Sequence, residues 1–234
     1  MAVFSVVTMD LNCDVGELED AGREAALFEY ITSANIACGG HAGDPATLER
    51  TVRLALARNV RIGAHPGYPD RANFGRVEIA MSAAEIEAAV REQIDRLEAV
   101  VRRLGGEIVH VKPHGALYNR AARDGETARA IGRAVVRWNP SATVFGLAGS
   151  PALGMWWEMG LPVAAEAFAD RRYEPDGSLR SRTFPDALIT DPREAAVQAV
   201  RFAREERAQT ICVHGDTPGA VEILRACREA LAAC

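Results

Sequence analysis

Short β-branched runs alternate with longer amphipathic segments along the chain, and that alternation limits the possible folds more than any other feature. The runs fall near 6–12, 33–39, 60–65, 107–113, 142–148, 162–169 and 210–215. Helices are expected near 23–30, 45–58, 83–104, 124–138, 151–158, 192–207 and 218–232. Several helix starts carry capping chemistry. Asp44-Pro45, Asp191-Pro192 and Thr217-Pro218 each put a capping oxygen ahead of a proline at the first helical position. Ser82 and Glu85 read as a capping box, followed by Ile86, Val90, Ile94, Leu97 and Val101 at helical spacing. A repeated βα alternation implies a parallel sheet, open or closed.

The titratable residues choose between those two forms. They cluster where strand gives way to loop, in DLNCDVGE (10–17), GGHAGDP (39–45), GAHPGYPD (63–70), HVKPHGALYN (110–119), EAFADRR (166–172) and VHGDTPG (213–219). A doubly wound sheet gathers its functional groups at one switch point. Here nearly every strand contributes, as at the C-terminal rim of a barrel. The expected fold is therefore α/β, a single seven-stranded (β/α) barrel domain over 1–234, a size that suits one barrel. The segment 171–190, with a turn at Pro175-Asp176-Gly177, is expected to be a loop or hairpin excursion, either a lid or a partner surface.

A net charge of −5 with no basic stretch argues against nucleic acid, and no apolar run approaches a membrane span. The start, MAVFSVVTMD, lacks the basic and apolar regions of a signal peptide. The five cysteines (Cys13, Cys38, Cys212, Cys227 and Cys234) form no CxxC pair and read as buried free thiols. A cytoplasmic protein is expected.

Period-two parity sorts the polar residues, since alternate strand positions face opposite sides. Asp10, Asn12 and Asp14 share one face of the first strand, and His110, Lys112 and His114 one face of the fourth. Glu166, Phe168 and Asp170 share a face near the sixth strand, and Cys212, His214 and Asp216 near the seventh. Charges turned into a barrel are costly unless they pair, bind metal or meet ligand. Asp14, His41 and His65 offer an N/O metal site, or else are hydrogen-bonded rim groups. Lys112 and His114 suit an anionic substrate or a developing oxyanion, although Lys112 paired with Glu166 or Asp170 would serve structure alone. His214 and Asp216 read as a proton-transfer pair, or Asp216 helps Thr217 cap the last helix. Arg171 suits a carboxylate, or belongs to a solvated charge run. There is no GxxxxGKS/T loop, GxSxG elbow or HExxH motif, and GLAGSP (146–151) is at most a weak anion loop.

The blocks DLNCDVGE, SANIACGGHAGDP, GAHPGYPD, FGR (74–76), HVKPHGALYN, EAFADRRY and VHGDTPGAVEIL, in this order and nearly end to end, make the chain resemble the LamB/YcsF family. Gly40 stands where the resemblance leads one to expect an aromatic, and Arg172 occupies a variable place. The resemblance implies a barrel of the glycoside hydrolase/deacetylase type. It also implies a 5-oxoprolinase that opens 5-oxo-L-proline to L-glutamate with ATP and Mg, in a complex with subunits B and C. Under that implication Lys112 and His114 stabilise charge at the activated carbonyl, and Asp14, His65 or Asp216 handle protons. Arg171 or Asn12 then holds the substrate carboxylate, with Glu166 and His214 in the same catalytic set. Two other readings stay open: a stand-alone metal-dependent deacetylase or amidohydrolase using Asp14, His41 and His65, and a non-catalytic lactam-binding subunit.

Overall fold

Each apolar run becomes a strand that pairs in parallel with the next one along the chain. The computed structural model describes residues 9–234, and the strands are β1 (Asp10–Val15), β2 (Ser33–Ala37), β3 (Arg61–His65), β4 (Ile108–Val111), β5 (Thr143–Leu147), β6 (Val163–Phe168) and β7 (Thr210–His214). β7 pairs back onto β1, with Asp10 opposite Thr210 and Asp14 opposite His214, which closes the barrel. Residues 6–8 of the first expected strand, and most of the stretch inspected for a leader, lie outside the described residues. β1 continues three residues past the expected end at 12. Its polar alternation resembled a loop, whereas in a closed barrel the polar positions simply face inward.

The helices are α1 (Ala21–Leu27), α2 (Pro45–Ala57), α3 (Ala83–Arg103), α4 (Gly115–Ala121), α5 (Gly125–Trp138), α6 (Pro151–Glu158), α7 (Pro192–Arg204) and α8 (Ala220–Ala232). Three starts follow the expected chemistry. Asp44 accepts from the Thr47 amide, Asp191 accepts from those of Arg193 and Glu194, and Ser82 with Glu85 completes a capping box. Two expectations need correction. α8 begins at Ala220 behind Gly219, and the Thr217 hydroxyl donates to Asp170 rather than capping the helix. α4 was not expected at all, because seven residues opened by a glycine at φ +53° show neither a cap nor a full hydrophobic period.

Leu11, Cys13 and Val15 of β1, with Val111, Ile211 and Val213, pack outward with the helices in one continuous core. The opposite strand faces enclose a polar interior. Cys13, Cys38, Cys212 and Cys227 are buried free thiols, and Cys234 is exposed. Burial pushes the Cys38 and Cys227 thiols up to about 12, which keeps them protonated and unreactive. Among the described residues no helix is long and apolar enough to cross a membrane.

Candidate active site in the barrel interior

The barrel interior is a stack of hydrogen-bonded layers. At its N-terminal end the Asp10 carboxylate accepts from Ser33 Oγ at 2.9 Å and Thr210 Oγ1 at 2.6 Å, and pairs with Arg61. Above it, Asn12 Nδ2 donates to Glu166 Oε1 at 3.0 Å and to Thr210 at 2.6 Å. Asn35 Nδ2 donates to Asn12 Oδ1 and to Asp14 Oδ1, and its own oxygen accepts from His110 Nε2 at 2.8 Å. His110 stacks on Phe145 with ring centres 4.3 Å apart. Gly63 makes room for it, since a Cβ there would lie 2.0 Å from His110 Nε2. The Asn12 amide is thus fully engaged within the wall, by Glu166, Thr210 and Asn35.

Lys112 is the centre of the next layer. Its Nζ lies 2.8 Å from Asp14 Oδ1, 3.0 Å from Glu166 Oε1 and 3.1 Å from Cys212 Sγ, and its side chain is 2% exposed. Burial opposes its charge, but Asp14, Cys212 and Glu166 outweigh burial and hold the ammonium well above the ordinary lysine range. Burial likewise opposes ionisation of Asp14, and His65 with Lys112 still hold its carboxyl well below the usual range. Two buried polar atoms beside this layer, Glu166 Oε2 and Tyr118 Oη, have no hydrogen-bond partner. Tyr118, Leu147, Phe168 and Cys212 form a small apolar group here, with Lys112 Nζ 5.1 Å above the Phe168 ring. Burial and then the neighbouring Glu166 carboxylate push the Tyr118 hydroxyl well above its ordinary value.

The third layer is a histidine cluster. Glu17, His41, His65 and His114 bring one ligand atom each to within 4.8 Å of one another, all of them nearly excluded from solvent. His41 and His114 stack with ring centres 3.6 Å apart, and Gly67 and Gly75 approach too closely to allow a side chain. The hydrogen bonds fix the tautomers. His65 Nδ1 donates to the Lys112 carbonyl at 2.7 Å, and His114 Nε2 donates to the Phe74 carbonyl at 2.9 Å. That leaves His65 Nε2 and His114 Nδ1 facing each other at 2.9 Å, both as lone pairs if both rings are neutral. Such a contact is repulsive. A proton on one ring or a cation between them removes the repulsion. Burial alone lowers His65, yet the Asp14 carboxylate at 3.3 Å raises it above the ordinary value, while burial, His41 and His65 drive His114 well below. Without a cation, these surroundings favour the proton on His65 over His114.

At the mouth, His214 Nδ1 lies 3.0 Å from Asp170 Oδ2, and Asp170 also accepts from the His214 amide and the Thr217 hydroxyl. His214 therefore pairs with Asp170 rather than with Asp216. Asp216 is held by Arg76 and Arg182 instead. Arg171 is buried, with Nη2 on the Arg180 carbonyl at 2.6 Å and Nε unpartnered. The excursion is pinned by antiparallel bridges, Arg171 to Leu188 and Tyr173 to Leu179.

The structure thus gathers Asp14, His65, Lys112, His114 and Glu166 tightly, with His214 and Asp216 above them at the mouth. His41 and His65 meet Glu17 and His114, and Asp14 Oδ2 lies 3.3 Å from the same His65 Nε2 that faces this cluster. Glu17, Asn35, Tyr118, Arg76 and Arg182 were not singled out from the sequence, and Cys212 was placed on the inner face without a role. Glu17 shares odd parity with the outward Cys13 and Val15, and only the turn at Gly16, φ +77°, brings it inward. Gly40 has its own explanation: a Cβ there would lie 2.2 Å from Gln93 Oε1, and the Gln93 amide bridges both backbone groups of Gly67.

The model of the LamB/YcsF family matches residues 9–234 of this sequence. The A subunit of 5-oxoprolinase from Chloroflexus aggregans is 49% identical over 243 residues, covering 97% of this chain and 96% of that protein. The protein of the same name from Oceanobacillus iheyensis is 46% identical, covering 93% and 90%. The crystal structure of the lactam utilization protein from Thermus thermophilus superposes with a TM-score of 0.88 at 42% identity, covering 97% of this chain and 96% of that one.

Proposed function

We propose a function from one premise: the chain belongs to the LamB/YcsF family. It acts as the A-type subunit of a cytoplasmic, ATP-dependent 5-oxoprolinase that opens 5-oxo-L-proline to L-glutamate, together with partner subunits B and C. The near end-to-end similarity to the A subunit of 5-oxoprolinase carries this reading. The interior supports it with paired acid–base groups beside two unpartnered polar atoms and a small apolar wall.

The chemistry explains why ATP is needed. A five-membered lactam is a stable amide with a poor leaving group. Transfer of the terminal phosphoryl group of ATP to the lactam carbonyl oxygen releases ADP and activates that carbon. Water then adds to it, and the C–N bond breaks with a proton delivered to nitrogen, leaving an acyl phosphate. A second water converts this to glutamate and inorganic phosphate. The nucleotide, with its Mg, is held within the complex.

Asp14, kept ionised by Lys112 and His65, takes the proton from the attacking water. Lys112 faces the negative charge that develops on oxygen, and His114 supports it from the adjacent layer. His214, oriented by Asp170, returns a proton to the leaving nitrogen. Glu166 Oε2 and Tyr118 Oη, both without partners, receive the polar edge of the ring. Arg171 contributes positive charge at the mouth.

The donor set also fits a divalent cation. Two facing histidine lone pairs, each ring oriented by a backbone carbonyl, meet the Glu17 carboxylate and His41, as in sites for zinc or a similar ion. Bound there, such an ion would supply Lewis-acid polarisation of an oxygen. This same cluster is what favours the alternative of a metal-dependent amidohydrolase.

Glutamate release from 5-oxoproline, measured with the chain alone and with its partners, with and without ATP, separates the two. Glutamate is expected only with the partners and ATP together. ATP-independent release by the chain alone, abolished by chelation, would overturn the reading.

A further inference from the structure

We propose that Arg76, Arg171 and Arg182 form a phosphoryl-binding subsite at the barrel mouth, which holds the phosphate of an O-phosphorylated lactam. The proposal rests on the functional reading above and specifies the form in which substrate reaches this chain.

Arg76 and Arg182 both bind the same oxygen of Asp216, Arg182 at 3.3 Å. Arg171 is held on the Arg180 carbonyl, two residues from Arg182, and is buried with its Nε lacking any partner. Burial and then the repulsion of Arg182 lower the Arg171 guanidinium to about 10, although the Asp170 carboxylate pulls the other way. The other acid near Arg171 is Asp170, and it is already committed to the His214 ring, the His214 amide and the Thr217 hydroxyl. Three guanidiniums therefore face two carboxylates, Asp216 and the already engaged Asp170, and positive charge is left in excess.

The crowded guanidiniums distinguish ligands by the strength of the charge they attract and by shape. A substrate carboxylate carries one negative charge, whereas a phosphate monoester carries close to two at neutral pH. Planar guanidiniums also match phosphate oxygens through paired N–H donors, which a cluster of lysines would not do. The place is right as well. The Arg76 guanidinium lies 4.7 Å from the centre of the Phe74 ring, and that ring meets His41 and His114, each with centres 5.5 Å away. Asp216 follows His214 by two residues. A phosphoryl group on the arginines would thus sit one ring layer above the buried histidines and carboxylates. With side chains 35% and 24% exposed, Arg76 and Arg182 can be reached from solvent without unpacking the barrel.

The test combines a titration with an assay. The full-length chain is titrated with inorganic phosphate and, at equal ionic strength, with acetate. The wild type is expected to bind phosphate in preference to acetate. The double variant Arg76→Gln, Arg182→Gln should bind phosphate at least tenfold more weakly, and the Arg→Lys pair should fall between. Both positions are partly exposed, and melting curves confirm that the variants stay folded. In the reconstituted complex the glutamine pair should lower kcat for glutamate formation at least tenfold and leave KM for 5-oxoproline unchanged. A raised KM at unchanged kcat would assign the arginines to the substrate carboxylate and overturn the proposal. Wild-type phosphate affinity in the variants, or no preference for phosphate over acetate in the wild type, would overturn it too. If the wild-type complex forms no glutamate, the functional reading fails, and the phosphate titration still decides the subsite.

Discussion

Replacing Lys112 with methionine is expected to lower the melting temperature of the chain by roughly 6–20 °C at neutral pH. The substitution preserves bulk but removes the cation that Asp14 and Glu166 share at 2.8 and 3.0 Å. Breaking a buried ion pair by removing one partner costs about 3–5 kcal/mol, because the remaining charge is left uncompensated. For a chain of this length each kcal/mol corresponds to about 2–4 °C. The pH dependence identifies the cause. In the wild type the depressed Asp14 pKa contributes stability that is present above the unfolded carboxylate value, about 3.9, and is lost as pH falls through the folded value. In the variant, the buried Asp14 carboxylate without its ammonium resists ionisation, so its folded pKa rises and stability falls as pH climbs past about 4. The gap between wild type and variant should therefore be small in melts at pH 4 and wide at pH 7.5. An equal gap at both would assign the loss to packing instead of charge.

Substituting His65 with alanine should reduce glutamate formation by the complex by about 10²–10⁴, the usual range for a positioned proton-transfer group. His65 Nε2 is the meeting point of two layers: it lies 2.9 Å from His114 Nδ1, 3.3 Å from Asp14 Oδ2 and 3.8 Å from Glu17 Oε1. Its removal separates the carboxylate–lysine layer from the histidine cluster and takes away one ligand atom of the cation site. Divalent-ion binding by the isolated chain, measured by titration with zinc, should weaken in parallel. The variant also leaves the Lys112 carbonyl without its donor, which costs about 1–3 kcal/mol of stability and is read separately from a melt. Activity within threefold of wild type would remove His65 from the chemistry.

Most of the barrel could be read from the sequence because its signals are local. Asp44-Pro45, Asp191-Pro192 and the Ser82/Glu85 box start helices through contacts spanning three or four residues. Period-two alternation in β1 and β4 likewise places Asn12, Asp14 and Lys112 together inside. What escaped the sequence depends on contacts between distant segments. Glu17 turns inward only through a left-handed glycine, and Cys212 matters only because β7 closes against β1 near Lys112. His214 and Asp216 looked like partners because they are two residues apart. The fold instead brings Asp170 to His214 across 44 residues and Arg76 to Asp216 across 140. The helix α4 was missed for the opposite reason, being too short to show a period. Residue identity marked the strand-end loops as functional, but only the closed sheet decides which side chains meet.

The interior holds Asp14, Lys112, Glu166 and three histidines in a volume that apolar side chains could fill more cheaply, since well-packed hydrophobic replacements of buried ion pairs are often neutral or stabilising. Their presence fits the proposed role of the interior in opening the lactam. Glutamate formation by the reconstituted complex carrying Lys112→Met, His114→Ala and His214→Ala together, at saturating ATP and 5-oxoproline, measures this directly. No glutamate above the uncatalysed background is expected from a folded, assembled variant. Formation at the wild-type rate would mean that the barrel interior takes no part in opening the lactam.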